Sequence, residues 1–171
     1  MTIKTIFLDR DGVINKEINY LYKIEDFEFT DGIFKACKYF QKLGYKIIII
    51  TNQSGIYRGY YSEVDYRKLT KWMVSEFFSQ KITILDVFHC PHGPKSPCIC
   101  RKPEPGMLFE AQKKYKIDMQ SSWMIGDKER DIEAANKAGI DQTILLSDEN
   151  TDSKAQFIIK SVQETEIIIS K

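Results

Sequence analysis

Short apolar runs alternate with stretches of helical period along this chain. Ile3 to Leu8 is an apolar run that ends at Asp9, and it reads as a first strand. Asp31 to Leu43 then carries Ile33, Phe34, Cys37 and Phe40 on one side of a helical pattern, with Gly44 as its stop signal. Tyr45 to Ile50 follows, ending in four consecutive isoleucines. A run that apolar is expected only where both faces of a strand are covered, as in a parallel sheet. Ser62, with Asp65 three residues later, has the form of a helix N-cap and opens a helix to about Phe78. Ile82 to Phe88 is a third strand despite Asp86, and Glu104 to Tyr115 is helical. Ser122 to Ile125, the Lys128 to Ala138 helix stopped by Gly139, and Gln142 to Leu146 continue the alternation. Ala155 to Ile159 is a candidate sixth strand before a weak terminal helix, and 148–171 carries no motif.

Strand and helix in repeated alternation predict an α/β fold, a doubly wound and mostly parallel sheet. Right-handed crossovers place the C-terminal ends of its strands on one edge, where ligands bind. No repeat, linker or low-complexity tract interrupts the pattern, so residues 1–171 are expected to form a single domain. The Pro- and Cys-rich stretch from Cys90 to Pro105 reads as a loop insertion within it.

Composition narrows the partners. At 171 residues, 43% hydrophobic and 29% charged, the chain holds one well-filled core and is not a disordered sequence. Lys and Arg number 25 against 24 Asp and Glu, a formal charge of +1 that gives no reason to expect nucleic acid or an anionic membrane. No apolar run approaches the roughly 18 residues of a membrane span, and the N-terminus has no signal-peptide pattern. With three of four cysteines packed between Cys90 and Cys100, a secreted disulfide framework is not expected. A cytoplasmic, reducing compartment is.

The polar residues that matter follow the strands. Asp9-Arg10-Asp11-Gly12 follows the first, Thr51-Asn52-Gln53-Ser54-Gly55 the second, and Gly126-Asp127-Lys128-Glu129-Arg130-Asp131 the fourth, while Arg101-Lys102-Pro103 precedes the Glu104 helix. Each alone is an ordinary turn, N-cap or solvated loop. Together, at one sheet edge, they suit phosphoryl transfer. Mg²⁺ takes oxygen ligands, typically one or two carboxylates beside a substrate phosphate, and Asp9 and Asp127 can supply them. One carboxylate can carry the phosphoryl group, and another two residues on can move the leaving-group proton. Thr51, Asn52 and Lys102 can stabilise the phosphoryl oxygens.

The insertion supplies a second set of ligands. Cys90-Pro91-His92, five residues, then Cys98-Ile99-Cys100 offers the three thiolates and one imidazole of a closed, structural Zn²⁺ site. His89, inside a strand run, is expected to pack rather than to ligate, and Cys37 to be buried on a helix face.

The motifs FLDRDG, IITNQSG, CRKPEPGM and MIGDKERD resemble the four signature motifs of haloacid-dehalogenase-type phosphatases. More narrowly, the chain from about Ile3 to Leu146 is similar to the D-glycero-D-manno-heptose 1,7-bisphosphate 7-phosphatase family, including Phe27 to Gly32, Arg58-Gly59 and Leu69 to Met73. The resemblance implies a Rossmann-like core without a large cap domain, and hence a monomer. It implies Mg²⁺-dependent hydrolysis of the 7-phosphate through an aspartyl-phosphate, in ADP- or GDP-heptose supply for lipopolysaccharide core or other glycans. Asp9 is then nucleophile and metal ligand, Asp11 the acid/base that binds metal through its carbonyl, and Asp127 a further metal ligand backed by Asp131. Thr51 and Lys102 stabilise the phosphoryl group. Glu17, Ile18, Asn19, Tyr20, Asn52, Gln53, Ser54, Arg58, Arg101 and Lys128 contact the sugar phosphate. Val13 departs from the family's usual Thr but removes none of these groups. The Cys-rich loop is similar to one shared with histidinol-phosphate phosphatases, the alternative reading. Arg58-Gly59 and Pro105-Gly106-Met107 favour the heptose enzyme. A phosphatase of nucleic-acid ends, or a zinc-stabilised binding module without activity, fits the charge balance and the complete motif set less well.

Overall fold

The computed structural model describes residues 1–170, so Lys171 of the motif-free terminal stretch lies outside the described residues. Six strands form one sheet: β1 (Thr5–Leu8), β2 (Lys46–Asn52), β3 (Ile84–Cys90), β4 (Trp123–Gly126), β5 (Gln142–Leu146) and β6 (Phe157–Ile159). Their order is β3-β2-β1-β4-β5-β6, and every pairing is parallel. The sheet is therefore wholly parallel, where the sequence pattern predicts mostly parallel. The chain winds outward from β1 to β3 and then returns to the other side at β4. That reversal opens a crevice beyond the C-terminal ends of β1 and β4.

Alternation along each strand sorts two cores. In β2, Ile47 and Ile49 point to one side of the sheet, and Ile48 and Ile50 to the other, all 0% exposed. Burial of each such side chain contributes about 1.5–3 kcal/mol, which accounts for the unbroken isoleucine run. Ile6, Leu8, Trp123 and Ile125 join the first core, Phe7 and Met124 the second. Helices α1 (Ile33–Lys42) and α2 (Glu63–Ser79) cover the first face through Ile33, Phe40, Leu69, Met73 and Phe77. Helices α3 (Gly106–Tyr115) and α4 (Glu129–Lys137) cover the second through Met107, Leu108, Ala111, Ala134 and Ala135. Ser62 does cap α2, reciprocally with Asp65.

Element ends move by a residue or two from the pattern. β2 continues through Thr51 and Asn52, and β3 through Cys90, so these residues stand on strand tips and not in the loops beyond. Cooperative pairing between β2 and β3, with Thr51 opposite His89 and Asn52 opposite Cys90, carries both strands past the apolar run. Asp86 is tolerated in edge strand β3 because Lys114 Nζ and Tyr115 Oη each donate to it at 2.7 Å. The terminal segment has a structural part. Ile159, Val162 and Ile169 close the first core beside α1, and Tyr39 Oη donates to the Ile169 carbonyl at 2.9 Å. Its helix α5 is only four residues, Thr165–Ile168.

Candidate active site

Adjacent strands β1 and β4 deliver Asp9 and Asp127 side by side, since Leu8 pairs with Ile125. Asp9, Asp127 and Asp131 each present a carboxylate oxygen within 4.8 Å of the others. Behind them Lys102 is almost completely buried, at 2% exposed. Its ammonium reaches three acceptors: Asp9 Oδ1 at 2.9 Å, Asp131 Oδ1 at 2.7 Å and the Ile50 carbonyl at 2.7 Å. Three donors meet three acceptors, so a buried cation is fully satisfied. Burial alone would push the Lys102 ammonium down, but Asp131 and Asp9 outweigh it and raise its pKa. Burial and the Asp131 charge push the Asp9 carboxyl well above its ordinary value in spite of Lys102. Asp127 is pushed up to about 6, again by burial and then Asp131.

Asp131 is both helix cap and charge partner. Its Oδ2 accepts from the Asp127 and Lys128 backbone N–H groups at 3.2 and 3.1 Å, and its other oxygen meets Lys102. With Asp131 spent, Asp9 and Asp127 remain for a cation. Asp127 Oδ1 is buried with no hydrogen-bond partner. An unpaired buried carboxylate oxygen among mutually repelling carboxylates fits a hard divalent ion. Gly12 leaves room for this arrangement: it has φ +88, and a Cβ there would stand 2.2 Å from Asp127 Oδ2.

A cleft of about 350 Å³ opens above this floor. Of the residues singled out in the sequence, Asp9, Asp11, Glu17, Ile18, Asn19, Tyr20, Asn52, Gln53, Ser54, Arg58, Arg101, Lys102, Asp127 and Lys128 line it. Thr51 and Asp131 do not. Thr51 is buried below the surface with its hydroxyl accepting from Gln53 Nε2 at 2.9 Å, and Asp131 is 0% exposed. Asn52 turns its amide to the Lys102 backbone, donating to its carbonyl at 3.1 Å and accepting from its N–H at 3.0 Å, which fixes the Lys102 loop to β2. Lys128 Nζ lies 3.3 Å from Glu17 and 3.4 Å from Asp127. Tyr20 adopts a left-handed backbone, φ 59, with its ring edge-on to Tyr60.

Two further residues escape the sequence reading. Arg130 lines the cleft with Arg58 and Arg101, and no ion-pair partner meets any of the three among the described residues. Burial, then Arg130, holds the Arg101 guanidinium below its ordinary pKa against an opposing pull from Cys98, and Arg58 lowers it further, so these cations converge. Such a wall calls for an anion. Arg130 shares its motif with Asp127 and Asp131, but only the first turn of α4 aims it at the cleft. Tyr61 also lines the cleft, beside Gly55 of the motif that follows β2, and nothing in the spacing of Tyr61 signals it.

The insertion folds into a compact donor cluster. Cys90 Sγ is 3.4 Å from His92 Nδ1 and 3.8 Å from Cys98 Sγ, and His92 Nδ1 is 3.2 Å from Cys100 Sγ. All four donors lie within 4.8 Å of one another, so the cluster is able to bind a metal ion. Cys90 and Cys100 themselves meet in disulfide contact; one ion held by all four donors would keep those sulfurs about 3.8 Å apart. Arg101 Nη1 donates to the His92 carbonyl at 3.3 Å, tying the cluster to the cleft wall. His89 packs elsewhere, on the Tyr66 ring and 3.0 Å from Glu63. Cys37 is 0% exposed, and burial pushes its thiol up.

A doubly wound parallel sheet with paired carboxylates, a buried lysine and a hydroxyl at the tips of its central strands is the core of a haloacid-dehalogenase-like hydrolase. A HAD-hydrolase-like family model matches residues 99–167. The chain is 54% identical over 151 residues to the D-glycero-alpha-D-manno-heptose-1,7-bisphosphate 7-phosphatase of Photorhabdus laumondii, covering 84% of this chain and 82% of that one. It is 47% identical to the Campylobacter jejuni enzyme of the same name, covering 96% and 94%. It therefore belongs to the D-glycero-D-manno-heptose-1,7-bisphosphate 7-phosphatase family. A second Photorhabdus laumondii relative, 40% identical over 95% and 93% of the chains, is named for the beta anomer. The solved D,D-heptose 1,7-bisphosphate phosphatase of B. bronchiseptica, complexed with magnesium and phosphate, superposes with TM-score 0.86 over 97% of each chain at 26% identity.

Proposed function

We propose that this protein removes the 7-phosphate of D-glycero-D-manno-heptose 1,7-bisphosphate, with Asp9 as nucleophile. The observation that carries this reading is one cleft lined by both signs of charge. Asp127 keeps an orphaned carboxylate oxygen at the strand tips, and three guanidiniums without an ion-pair partner among the described residues line the wall. A substrate with a phosphate at each end satisfies both. An Asp9 oxygen attacks phosphorus, and the bond from phosphorus to the sugar oxygen breaks. Asp11 gives its proton to that departing oxygen, then takes one from the water that cleaves the Asp9–phosphorus bond. Asp9, Asp127 and the Asp11 carbonyl would hold Mg²⁺, which supplies positive charge against the phosphoryl oxygens. Lys102 holds Asp9 in place and adds charge beside the reacting group, with Asp131 and the Asn52 amide fixing Lys102. Arg58, Arg101, Arg130 and Lys128 receive the phosphate that is not cleaved. We assign the alpha anomer, because the relatives at 54% and 47% identity carry that name.

Phosphate release from both anomers of heptose bisphosphate and from histidinol phosphate, measured side by side, tests this. The alpha heptose substrate should be turned over fastest. Faster release from histidinol phosphate, whose imidazole end has no phosphate for the arginines, would overturn the assignment.

In the Cys-rich loop we assign a structural Zn²⁺ to Cys90, His92, Cys98 and Cys100. A disulfide between Cys90 and Cys100 would explain two donors, whereas the convergence of all four is explained by one ion. Elemental analysis of protein purified under reducing conditions should find about one zinc per chain. Stripping it with a chelator should loosen the loop and weaken substrate binding through Arg101. Fully folded protein with no bound metal and an unaltered KM would contradict the site. The chain is read as a single domain acting as a monomer in the cytoplasm, and among the described residues no helix is long and apolar enough to cross a membrane.

A further inference from the structure

Three side chains hold Asp11. Its Oδ1 accepts from Arg10 Nη2 at 2.9 Å and Asn15 Nδ2 at 3.1 Å, and its Oδ2 from Gln53 Nε2 at 3.1 Å and Arg10 Nη2 at 3.2 Å. The Gln53 amide is 2% exposed and joins two site residues, because Nε2 also donates to Thr51 Oγ1 at 2.9 Å. A carboxylate only accepts, so Asp11 fixes which end of the amide faces it. That choice leaves Gln53 Oε1 as a buried acceptor in need of a donor. Tyr61 Oη supplies it at 2.5 Å. Burial pushes the Tyr61 phenol up to about 12, which keeps its proton in place at neutral pH. The ring is itself fixed, stacked on Tyr22 with centroids 5.4 Å apart and planes at 14°. The Tyr61 edge lies against Gly55, where a Cβ would come 2.1 Å from Cε1, so only glycine at 55 admits it.

We propose that Tyr61 is a positioning residue for leaving-group protonation, its hydroxyl acting through Gln53 to hold the Asp11 carboxyl group where the proton is delivered. The proposal rests on the reading of Asp11 as the acid/base. Without the hydroxyl, Gln53 Oε1 becomes an unsatisfied buried acceptor, an unfavourable arrangement. The amide then turns to find a donor and gives up its bond to Asp11 Oδ2, which leaves that oxygen to Arg10 and lets the carboxyl group pivot. The loss falls on proton delivery and not on attack by Asp9.

The test compares two leaving groups. A sugar alkoxide must be protonated as it departs, whereas the p-nitrophenolate of p-nitrophenyl phosphate leaves without help. The ratio kcat/KM reports the steps up to that departure. Tyr61→Phe, which keeps the ring, should lower kcat/KM for heptose bisphosphate about tenfold and that for p-nitrophenyl phosphate less than twofold. Asp11→Asn, run in parallel, should show the same selective loss more strongly. Equal losses on both substrates in Tyr61→Phe would mark a merely structural role and overturn the proposal, as would no loss on either. If Asp11→Asn shows no dependence on the leaving group, the acid/base reading of Asp11 fails instead. Were heptose bisphosphate not turned over by the unmodified protein, the substrate assignment alone would fall. The comparison would then use whichever sugar monophosphate the protein does hydrolyse.

Discussion

Asp9→Asn is expected to lower turnover of heptose bisphosphate by at least about 10⁴-fold, the scale on which removing a covalent nucleophile acts. The substitution changes one atom in a side chain that is almost buried at the tip of β1, where the Asp9 N–H donates to the Ile125 carbonyl at 3.0 Å. Backbone placement therefore survives, while an amide neither attacks phosphorus nor accepts the phosphoryl group. Stability should not fall with activity. Burial and the Asp131 charge both oppose ionisation of Asp9, so in metal-free solution a neutral amide relieves repulsion. Lys102 keeps Asp131 and the Ile50 carbonyl. Steady-state phosphate release, a search by mass spectrometry for a phosphoryl adduct trapped on the protein, and a urea titration check the three parts together. Residual turnover above about one per cent would sink the covalent route.

The second large effect is on stability. Lys102→Met keeps the length and apolar character of the stem and removes the charge that lies between Asp9 and Asp131. Breaking a buried ion pair by deleting one partner typically costs about 3–5 kcal/mol, because the remaining charge is stranded. Here two carboxylates are stranded together, in contrast to the exposed pairs of this protein such as Lys137 with Glu104, where a deletion costs at most about 1 kcal/mol. The loss should be greatest near neutral pH. The Asp9 carboxyl, already held above its ordinary value by burial and the Asp131 charge, rises further once the Lys102 charge that lowers it is removed. The folded protein then holds more protons than the unfolded chain as pH increases through the carboxylate range, so stability declines across that interval. At acid pH, with the Asp9 carboxyl neutral, the penalty shrinks. Urea unfolding with a chelator present, at mildly acid and neutral pH, reads both the size and the sign. A change below about 1 kcal/mol at neutral pH would show that the carboxylates do not depend on Lys102.

Much of this site is legible one motif at a time, for a physical reason. Asp9 and Asp127 follow directly after apolar strands, and strand tips in a parallel sheet share an edge whatever the lateral order. The four-isoleucine run reports two-sided burial because neither face of β2 tolerates a polar group. The ligand cluster is readable because Cys90, His92, Cys98 and Cys100 lie within eleven residues of chain, so local geometry suffices to gather them. Ser62 and Asp65 cap α2 for the same reason: the interaction spans three residues.

Long-range pairings are a different matter. That Lys102 takes its three acceptors from β1, β2 and the first turn of α4 depends on the order β2-β1-β4, which no local pattern encodes. Arg130 reads as a solvated helix residue until that helix is set beside the Arg58 loop. Tyr61 reads as one aromatic residue among many until Gly55 lets its ring fold back onto Gln53. By itself, then, the sequence determined the fold class and which polar residues stand at the strand tips, because those depend on residue type, period and short spacing. Only the tertiary structure decided which carboxylate meets Lys102, which keeps an unpaired oxygen, and which donors surround Asp11. Those outcomes rest on distances between segments that are far apart in the chain and are brought together by burial of the sheet.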